Sequence, residues 1–412
     1  MTNNKMDRRL VTILLIVLVQ MLGAAMILPI LPLFAQREFD LSPQMIGLLG
    51  TAFFAAQFLA GPYLGRLSDK FGRVPILIVS QIGTVISFVM LAFAPSAAFL
   101  FLARILDGIT GGNIIVAQAY ITDITPRERR TEALGYIFAV FGLGFVIGPA
   151  LGSVLAAALG PRVPYLVAAA AALLVVFLTY FTLEETLTPE QRLANREARG
   201  TGIAPRQVIR NKPLVLILLI AFFGQAGLGL LQSTFALYAE AILFNDYSQE
   251  MVTLGVGLLL ASVGLSQFVT QAFLLRPLLT RFGEYRLIII GNFSRMVSTF
   301  LYAIIVSPIL GALSSLLFAF GIGIMMPSLQ SLATQTVDDE YRGGVIGLYQ
   351  STLSLSIIVG TAVGGFLFSL GATLPYWTGA VTALVAFFPA FMLIVQYGPK
   401  KAVGARTPPP AD

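Results

Sequence analysis

Long uninterrupted runs of apolar residues recur along the whole chain and are separated by short polar segments. A helix of about 20 residues crosses the ~30 Å hydrocarbon core of a bilayer. The runs lack the alternation of polar and apolar positions that a membrane β-barrel requires. The pattern therefore predicts an all-α membrane protein with twelve transmembrane helices. The predicted spans cover about residues 10–34, 44–66, 74–94, 98–120, 131–158, 164–183, 213–237, 252–275, 287–306, 309–333, 343–370 and 374–396.

The longest polar interruption separates the first six predicted spans from the last six. It covers residues 184–212, and we expect a cytoplasmic linker there. The division predicts one six-helix bundle over residues 1–183 and a second over residues 213–398. The remaining residues, 399–412, are polar and rich in proline, which is typical of a disordered tail; we expect that tail in the cytoplasm.

An internal repeat supports two equivalent halves. The segment "RRTEALGYIFAVFGLGFVIGPALGSVL" matches "YRGGVIGLYQSTLSLSIIVGTAVGGFL" at an offset of 212 residues. The pairs are Arg130 and Arg342, Gly135 and Gly347, Gly148 and Gly360, and Gly152 and Gly364. A weaker match pairs Gly72 with Gly283 at an offset of 211. Parallel halves of this kind place a substrate site near the bilayer midplane, where they meet, so the repeat favours a transporter.

The amino-acid composition excludes several kinds of reaction and of metal site. The chain is 57% hydrophobic and 11% charged, with a mean hydropathy of +0.86. It contains no cysteine and no histidine, which excludes disulfides, thiol chemistry, the usual zinc ligands and a histidine proton relay. No nucleophile, base and orienting group occur together, and no phosphate-binding G-x-x-x-x-G-K-[ST] loop is present. We therefore expect neither an enzyme nor a bound metal or cofactor.

The net charge of +6 follows from membrane orientation rather than from nucleic-acid binding. With the N-terminus in the cytoplasm, 22 of the 26 lysines and arginines fall in cytoplasmic segments. This asymmetry is the positive-inside pattern of membrane proteins. It predicts that both termini are cytoplasmic.

The loop "GRLSDKFGRVP" joins the second and third predicted spans. Gly65 and Gly72 permit a tight turn, and Asp69 can face the N-terminal dipole of the next helix. Arg73 supplies a cation, and Asp123, at the cytoplasmic end of span four, can pair with it. We interpret this group as a conformational latch that holds helices in one state and releases them in another. The alternative is an ordinary positively charged cytoplasmic loop.

The fifth predicted span carries small residues at intervals of four. They are Gly144, Gly148 and Gly152, and Pro149 follows Gly148, in "GYIFAVFGLGFVIGPALG". Such spacing lets two transmembrane helices approach closely, and a proline after a glycine permits a bend. Close packing without a functional bend is the alternative interpretation.

Span four places two charged residues, Arg104 and Asp107, inside an apolar run. A charge at mid-membrane costs roughly 2.5–3.5 kcal/mol on insertion scales, and residues three apart share a helix face. In one interpretation they neutralise each other as a static pair. In the other, Asp107 binds and releases the coupling proton under the control of Arg104. The sequence leaves both open.

Other polar and polarisable residues at membrane depth are candidates for the substrate cavity. Those that we select lie on spans one, four, seven and ten: Gln20, Asn113, Gln225, Gln232, Met325 and Met326. Gln225 and Gln232 are seven residues apart and so share a helix face. The alternative for each amide is a hydrogen bond between helices.

Together, these stretches resemble the major facilitator superfamily, and more closely its twelve-span drug:proton antiporter family, which includes the tetracycline efflux pumps. The resemblance covers about Leu10 to Gln396. "GRLSDKFGRVP" resembles the family's loop between spans two and three, "ARILDGITGG" its proton-linked span-four motif, and "GYIFAVFGLGFVIGPALGS" its antiporter motif, with Ser153 in place of a usual glycine. The resemblance implies two six-helix bundles that rock around a central cavity, and export driven by inward proton movement.

The chain departs from the pumps at their intramembrane carboxylates. Gln20, Ser87 and Arg295 stand where acidic residues are usual, whereas Asp107 is an acid at a usually uncharged position. We therefore do not assign tetracycline as the substrate, and Asp107 becomes the candidate for proton binding.

We expect a monomeric, multi-pass protein of the bacterial cytoplasmic (inner) membrane that exports amphipathic or hydrophobic small molecules by alternating access. This is multidrug-type efflux of the kind that causes drug resistance, with proton antiport as the driving force. Its partners are then the small-molecule or lipid-like substrate, protons and the bilayer, without nucleic acid. A lipid or glycolipid flippase of the same fold is the main alternative. A membrane sensor that does not transport would need a larger soluble domain than the linker and tail provide.

Overall fold

The computed structural model describes residues 8–111, 113–126, 130–188, 190, 205–337 and 342–398, and these form helices joined by short connections. The spans of the first half are Arg8–Ile27 continued by Ile30–Phe39, Pro43–Phe71, Arg73–Ala92, Ala97–Thr110 continued by Asn113–Ile124, Arg130–Leu159, and Val163–Thr182. The spans of the second half are Lys212–Tyr238 continued by the π-helical Ala239–Leu243, Gln249–Val269 continued by the π-helical Thr270–Leu274, Leu275–Ile304, Pro308–Gln335, Arg342–Leu370, and Leu374–Tyr397. We number these spans one to twelve.

Of the expected linker, the structure describes residues 184–188, 190 and 205–212, and Pro205–Arg210 is a short helix. The expected tail, residues 399–412, lies outside the described residues.

Serine side chains cap several spans: those of Ser42, Ser96 and Ser248 each accept a hydrogen bond from the backbone N–H three residues later. These contacts satisfy N–H groups that the first turn of a helix leaves unpaired.

Spans eight and nine are continuous in helical hydrogen bonding but cross the membrane separately. Within the described residues, 11 helical stretches are long and apolar enough to cross a membrane, and Gln249–Ile304, with 56 residues, is one of them. At 1.5 Å per residue it is far too long for one crossing. Gly283 breaks it with a φ of 73°. Ser266 and Ser294, on either side of the break, donate to adjacent carbonyls of span ten, those of Leu316 and Leu317. The chain therefore reverses at Gly283, so that residues 275–282 continue span eight and span nine begins after Gly283. The twelve predicted spans are confirmed.

The repeat detected in the sequence is also a structural repeat. Gly72 has a φ of 110° at the end of span two, and its partner Gly283 has the same left-handed type of backbone. A side chain disfavours that conformation. Both glycines thus make the same kind of turn in their own half.

Equivalent glycines also bring equivalent helices together. A β-carbon on Gly148 of span five would lie 2.6 Å from the Ala25 β-carbon of span one. A β-carbon on its repeat partner, Gly360 of span eleven, would lie 2.5 Å from the Ala226 carbonyl oxygen of span seven. Absence of a side chain lets both pairs of backbones approach closely.

The two halves meet where span two packs against span eleven and span five against span eight. A β-carbon on Gly47 would lie 2.6 Å from the carbonyl oxygen of Thr361, whose side-chain oxygen is 2.9 Å from that of Thr51. A β-carbon on Gly257 would lie 2.1 Å from Ser153 Oγ. These contacts lie on the side of the molecule where spans one, five and seven have their C-terminal ends. We call this end the sealed face.

Candidate functional site

A cavity of about 310 Å³ lies between the two halves. Its walls come from spans one to five of the first half and from spans seven and eleven of the second. Aromatic rings, amides and a pair of opposite charges line it: Phe53, Phe54, Phe88, Phe141, Phe145, Gln20, Gln57, Gln232, Arg104 and Asp107. A mostly apolar cleft of this volume with a few convergent polar groups is typical of small-molecule sites.

Arg104 and Asp107 form a buried ion pair on the cavity wall. Their relative exposures are 9% and 7%, and Arg104 Nη1 lies 2.6 Å from Asp107 Oδ2. The guanidinium also lies over the Phe53 ring, with 4.1 Å between its central carbon and the ring centroid. Arg104 Nε has no hydrogen-bond partner among the described residues. The structure thus brings the two predicted residues together on the wall of the cavity.

A glycine explains why span four carries this pair so close to span two. A β-carbon on Gly108 would lie 2.3 Å from the carbonyl oxygen of Phe53, so the two backbones touch. The first helix of span four ends at Thr110, just after the pair. The carbonyl oxygen of the next residue, Gly111, accepts a hydrogen bond from Gln57 Nε2 of span two at 3.2 Å. Contact between the two spans therefore fixes the guanidinium over its aromatic platform.

The cavity amides include one pair related by the repeat. Gln20 of span one and Gln232 of span seven are 212 residues apart, and both line the cavity. Gln232 Oε1 is buried without a hydrogen-bond partner in the described part of the chain. A buried polar atom without a partner is costly, so this oxygen is available to a donor on a bound molecule.

The structure separates the remaining predicted cavity residues from this cavity. Gln225, Met325 and Met326 are not among its lining residues, and Met325 is fully buried in the core of the second half. The side chain of Asn113 lies outside the described residues. Sequence reasoning also missed Gln57 and the five phenylalanines. Phe53, Phe54 and Gln57 are spaced as one helix face, but only packing shows that this face meets the cavity.

The predicted latch residues come together at the end of the molecule opposite the sealed face. Arg73 Nη1 lies 2.6 Å from Asp69 Oδ1, and Arg73 Nε donates to Asp123 Oδ2 at 2.9 Å. Arg73 also donates to Ser68 Oγ, which in turn donates to the Gly65 carbonyl oxygen. Spans two, three and four are thus joined through one guanidinium.

Glu185 is a member of this group that sequence reasoning missed. It follows span six, and its carboxylate accepts hydrogen bonds from the backbone N–H groups of Arg73 and Val74 at 3.0 and 3.1 Å. These N–H groups begin span three, where a helix attracts negative charge. Glu185 occupies that position, whereas Asp69 pairs with Arg73. No local signal marks Glu185, because the contact joins residues 112 apart.

The glycines of the span-five motif fit against span one. A β-carbon on Gly144 would lie 2.9 Å from Met21 Cβ, and one on Gly152 would lie 2.5 Å from the Met26 carbonyl oxygen. Pro149 lies inside the continuous helix Arg130–Leu159. Its carbonyl oxygen faces span eight, 2.8 Å from where a β-carbon on Gly257 would lie. Span five is therefore held closely between spans one and eight.

Comparison with known proteins decides the family. The family model described as Major Facilitator Superfamily matches residues 13–255 and 233–411. The chain belongs to the Major Facilitator Superfamily. It is thus a multi-pass membrane protein of a transporter family, with the all-helical fold that the sequence predicts.

Individual members of the superfamily are similar along almost the whole chain. The class H tetracycline resistance protein of Pasteurella multocida is 30% identical over 95% of this chain and 96% of its own length. The class C tetracycline resistance protein of Escherichia coli is 32% identical over 91% and 93%. Multidrug resistance protein 2 of Bacillus subtilis is 28% identical over 93% and 92%.

Solved structures share the fold at lower identity. The nucleoside transporter NupG superposes with a TM-score of 0.76 at 14% identity, covering 95% of this chain and all of the other. The human organic anion transporter MFSD10 superposes with a TM-score of 0.68 at 22% identity, covering 93% and 99%. These similarities support the arrangement of the helices.

Proposed function

We propose that this protein exports amphipathic or hydrophobic small molecules from a bacterial cytoplasm by proton antiport. One observation carries the proposal: the cavity between the halves contains a carboxylate, Asp107, paired with a buried guanidinium. A group that changes charge inside a substrate cavity can link proton movement to substrate movement. The tetracycline and multidrug resistance relatives support efflux as the direction.

The contacts between the halves support alternating access. With the termini in the cytoplasm, as the positive-inside pattern indicates, the sealed face is periplasmic. The structure then corresponds to a state that receives substrate from the cytoplasm. Export follows when the two bundles, residues 1–183 and 213–398, rock so that the sealed face opens.

Proton binding at Asp107 changes the charge balance in the cavity. Among the described lining residues, Asp107 is the only carboxylate. When a proton bonds to its carboxylate oxygen, the attraction to Arg104 is lost and the guanidinium keeps its charge. Release of that proton on the cytoplasmic side restores the pair. Because the Arg104 guanidinium also contacts the Phe53 ring of span two, a change in its pairing with Asp107 changes the contact between spans two and four.

The cavity volume favours small molecules over the flippase alternative. About 310 Å³ lies at the lower end of the range for drug-sized ligands. A glycolipid with two acyl chains is several times larger than such a ligand. The aromatic rings and amides suit compounds with a flat apolar body and a few hydrogen-bonding groups.

The test compares Asp107→Asn with the wild-type protein in liposomes. We expect the variant to lose uphill transport driven by a pH gradient while it still exchanges substrate for substrate across the membrane. Glu38→Gln, a change at a partly exposed carboxylate outside the cavity, serves as the control and should keep both activities. Uphill transport by Asp107→Asn at the wild-type rate would rule out this coupling.

A further inference from the structure

Span nine carries a second buried guanidinium, Arg295, and its charge is not balanced by a carboxylate among the described residues. Arg295 is 2% exposed. Its Nη2 donates to the Gly224 carbonyl oxygen, and its central carbon lies 5.1 Å from the centroid of the Phe318 ring. Nε and Nη1 have no hydrogen-bond partner in the part of the chain that the structure describes.

This arrangement contrasts with that of Arg104. Arg104 has the carboxylate of Asp107 at 2.6 Å, so that pair has no net charge. A buried charge without a partner is expensive in a protein interior and at membrane depth. Arg295 therefore gives the core of the second half a net positive charge, with N–H donors free to bind an anion.

The repeat relates Arg295 to the wall of the central cavity. At the offset of 211 that pairs Gly72 with Gly283, Arg295 corresponds to Thr84 and Phe318 corresponds to Asp107. Thr84 and Asp107 both line the cavity. Arg295 and Phe318 thus occupy the second half's counterpart of the same site.

Flexible side chains surround the guanidinium. A β-carbon on Gly224 would lie 2.9 Å from Arg295 Nη1, 2.9 Å from Met325 Cε and 3.2 Å from Met326 Cε. The two methionine ends and the guanidinium therefore converge beside span seven. Methionine adapts its shape at low cost, so movement of these side chains can admit a ligand when the halves rock.

We infer that Arg295 binds an acidic group of the transported molecule, so that the substrates include amphipathic organic anions. The inference rests on the proposed export function and names a substrate class for it. A guanidinium forms charge-assisted hydrogen bonds with carboxylates, sulfonates and phosphates. Phe318 and the ends of Met325 and Met326 contact the apolar body of the ligand, and Arg295 binds its charged group.

The test uses two fluorescent probes that differ in one group. Anilinonaphthalene sulfonate carries a negative charge, and phenylnaphthylamine is the same ring system without the sulfonate. We expect the wild-type protein in liposomes to export both. Arg295→Met should weaken sulfonate transport and binding at least about tenfold, the loss typical of a charge-assisted hydrogen bond. Binding of the neutral amine should change less than about twofold.

Two further variants control for charge and folding. Arg276→Met removes an exposed arginine from the same helical stretch, Leu275–Ile304. This variant should leave binding and transport of both probes unchanged. Arg295→Lys keeps the charge and should retain more sulfonate binding than Arg295→Met. If Arg295→Met does not fold, two other measurements test the role of Arg295. These are sulfonate binding by Arg295→Lys and competition between the two probes for the wild-type protein.

The outcomes separate this inference from the function on which it rests. If the protein exports the neutral amine, but the sulfonate is neither exported nor able to compete with the amine, the anionic substrate class is wrong. The proposed export function then still stands. Failure of a pH gradient to drive either probe contradicts the proposed function itself. Replacing chloride by gluconate in the buffer tests whether Arg295 binds chloride instead of an organic anion. If chloride binding depends on Arg295 and sulfonate binding does not, the site belongs to an inorganic anion and the inference is wrong.

Discussion

Arg37 and Glu240 form an ion pair that joins the two halves at the sealed face. Arg37 Nη2 lies 2.7 Å from Glu240 Oε1, and Nη1 is 3.4 Å from Thr253 Oγ1. Arg37 is in the second helix of span one, and Glu240 is in the π-helical end of span seven. Because the pair connects opposite halves, it must break when this face opens.

We therefore expect Glu240→Gln to shift the protein toward the state that is open at this face. A partly exposed ion pair contributes about 0.2–1 kcal/mol, which corresponds to a shift of up to about fivefold. Distances between spin labels on the two halves at the sealed face measure the populations. The double variant Arg37→Glu with Glu240→Arg should restore the wild-type distribution. Identical distributions in all three proteins would show that the pair does not hold the face closed.

In the latch, we expect Asp123→Asn to have a larger effect than Asp69→Asn. The Asp123 side chain is 24% exposed and binds both Arg73 and Thr186, whereas that of Asp69 is 43% exposed and binds Arg73. An ion pair that is less exposed to solvent is screened less by salt, so it contributes more to the stability of the latched state. Both variants should slow exchange between the two open states, as single-molecule distance measurements can show. Equal exchange rates in the wild type and Asp123→Asn would exclude the latch. Asp40→Asn, outside this cluster, is the control.

Gly148→Ala should destabilise the protein, because a β-carbon there would lie 2.6 Å from Ala25 Cβ. Overpacking typically costs about 1–3 kcal/mol, and thermal unfolding in detergent measures the loss. Gly347→Ala is the matched control, since nothing lies within 4 Å of its added β-carbon. It should be neutral or slightly stabilising. A stable Gly148→Ala variant would mean that span one yields at this contact.

Gln232→Leu should weaken binding of substrates that donate a hydrogen bond. Gln232 Oε1 lines the cavity without a partner among the described residues, and a neutral hydrogen bond contributes about 0.5–1.5 kcal/mol. The expected loss is about twofold to tenfold in affinity, measured by equilibrium binding. Gln225→Leu, on the same span but outside the cavity, should leave the affinity unchanged. Equal losses in both variants would contradict the assigned lining.

The sequence predicted the charged pair and the turns better than the cavity lining. Arg104 and Asp107 are three residues apart, so the geometry of one helix brings them together. Gln225 and Gln232 share a face, but seven residues separate them by about 10 Å along the helix. That distance places Gln232 at the cavity and Gln225 beyond it. Glu185 reaches span three only through folding of the whole first half.

Apolar run length, repeated glycines and the positions of charge were enough to establish twelve spans, two related halves and the intramembrane arginines, because bilayer thickness and the cost of buried charge act on local sequence. Which helix faces meet depended on the tertiary structure. Contacts such as Thr51 with Thr361 and Arg37 with Glu240 join residues 310 and 203 apart. Such contacts depend on close packing of both halves at once, and they alone decide which face is sealed and which side chains share the cavity.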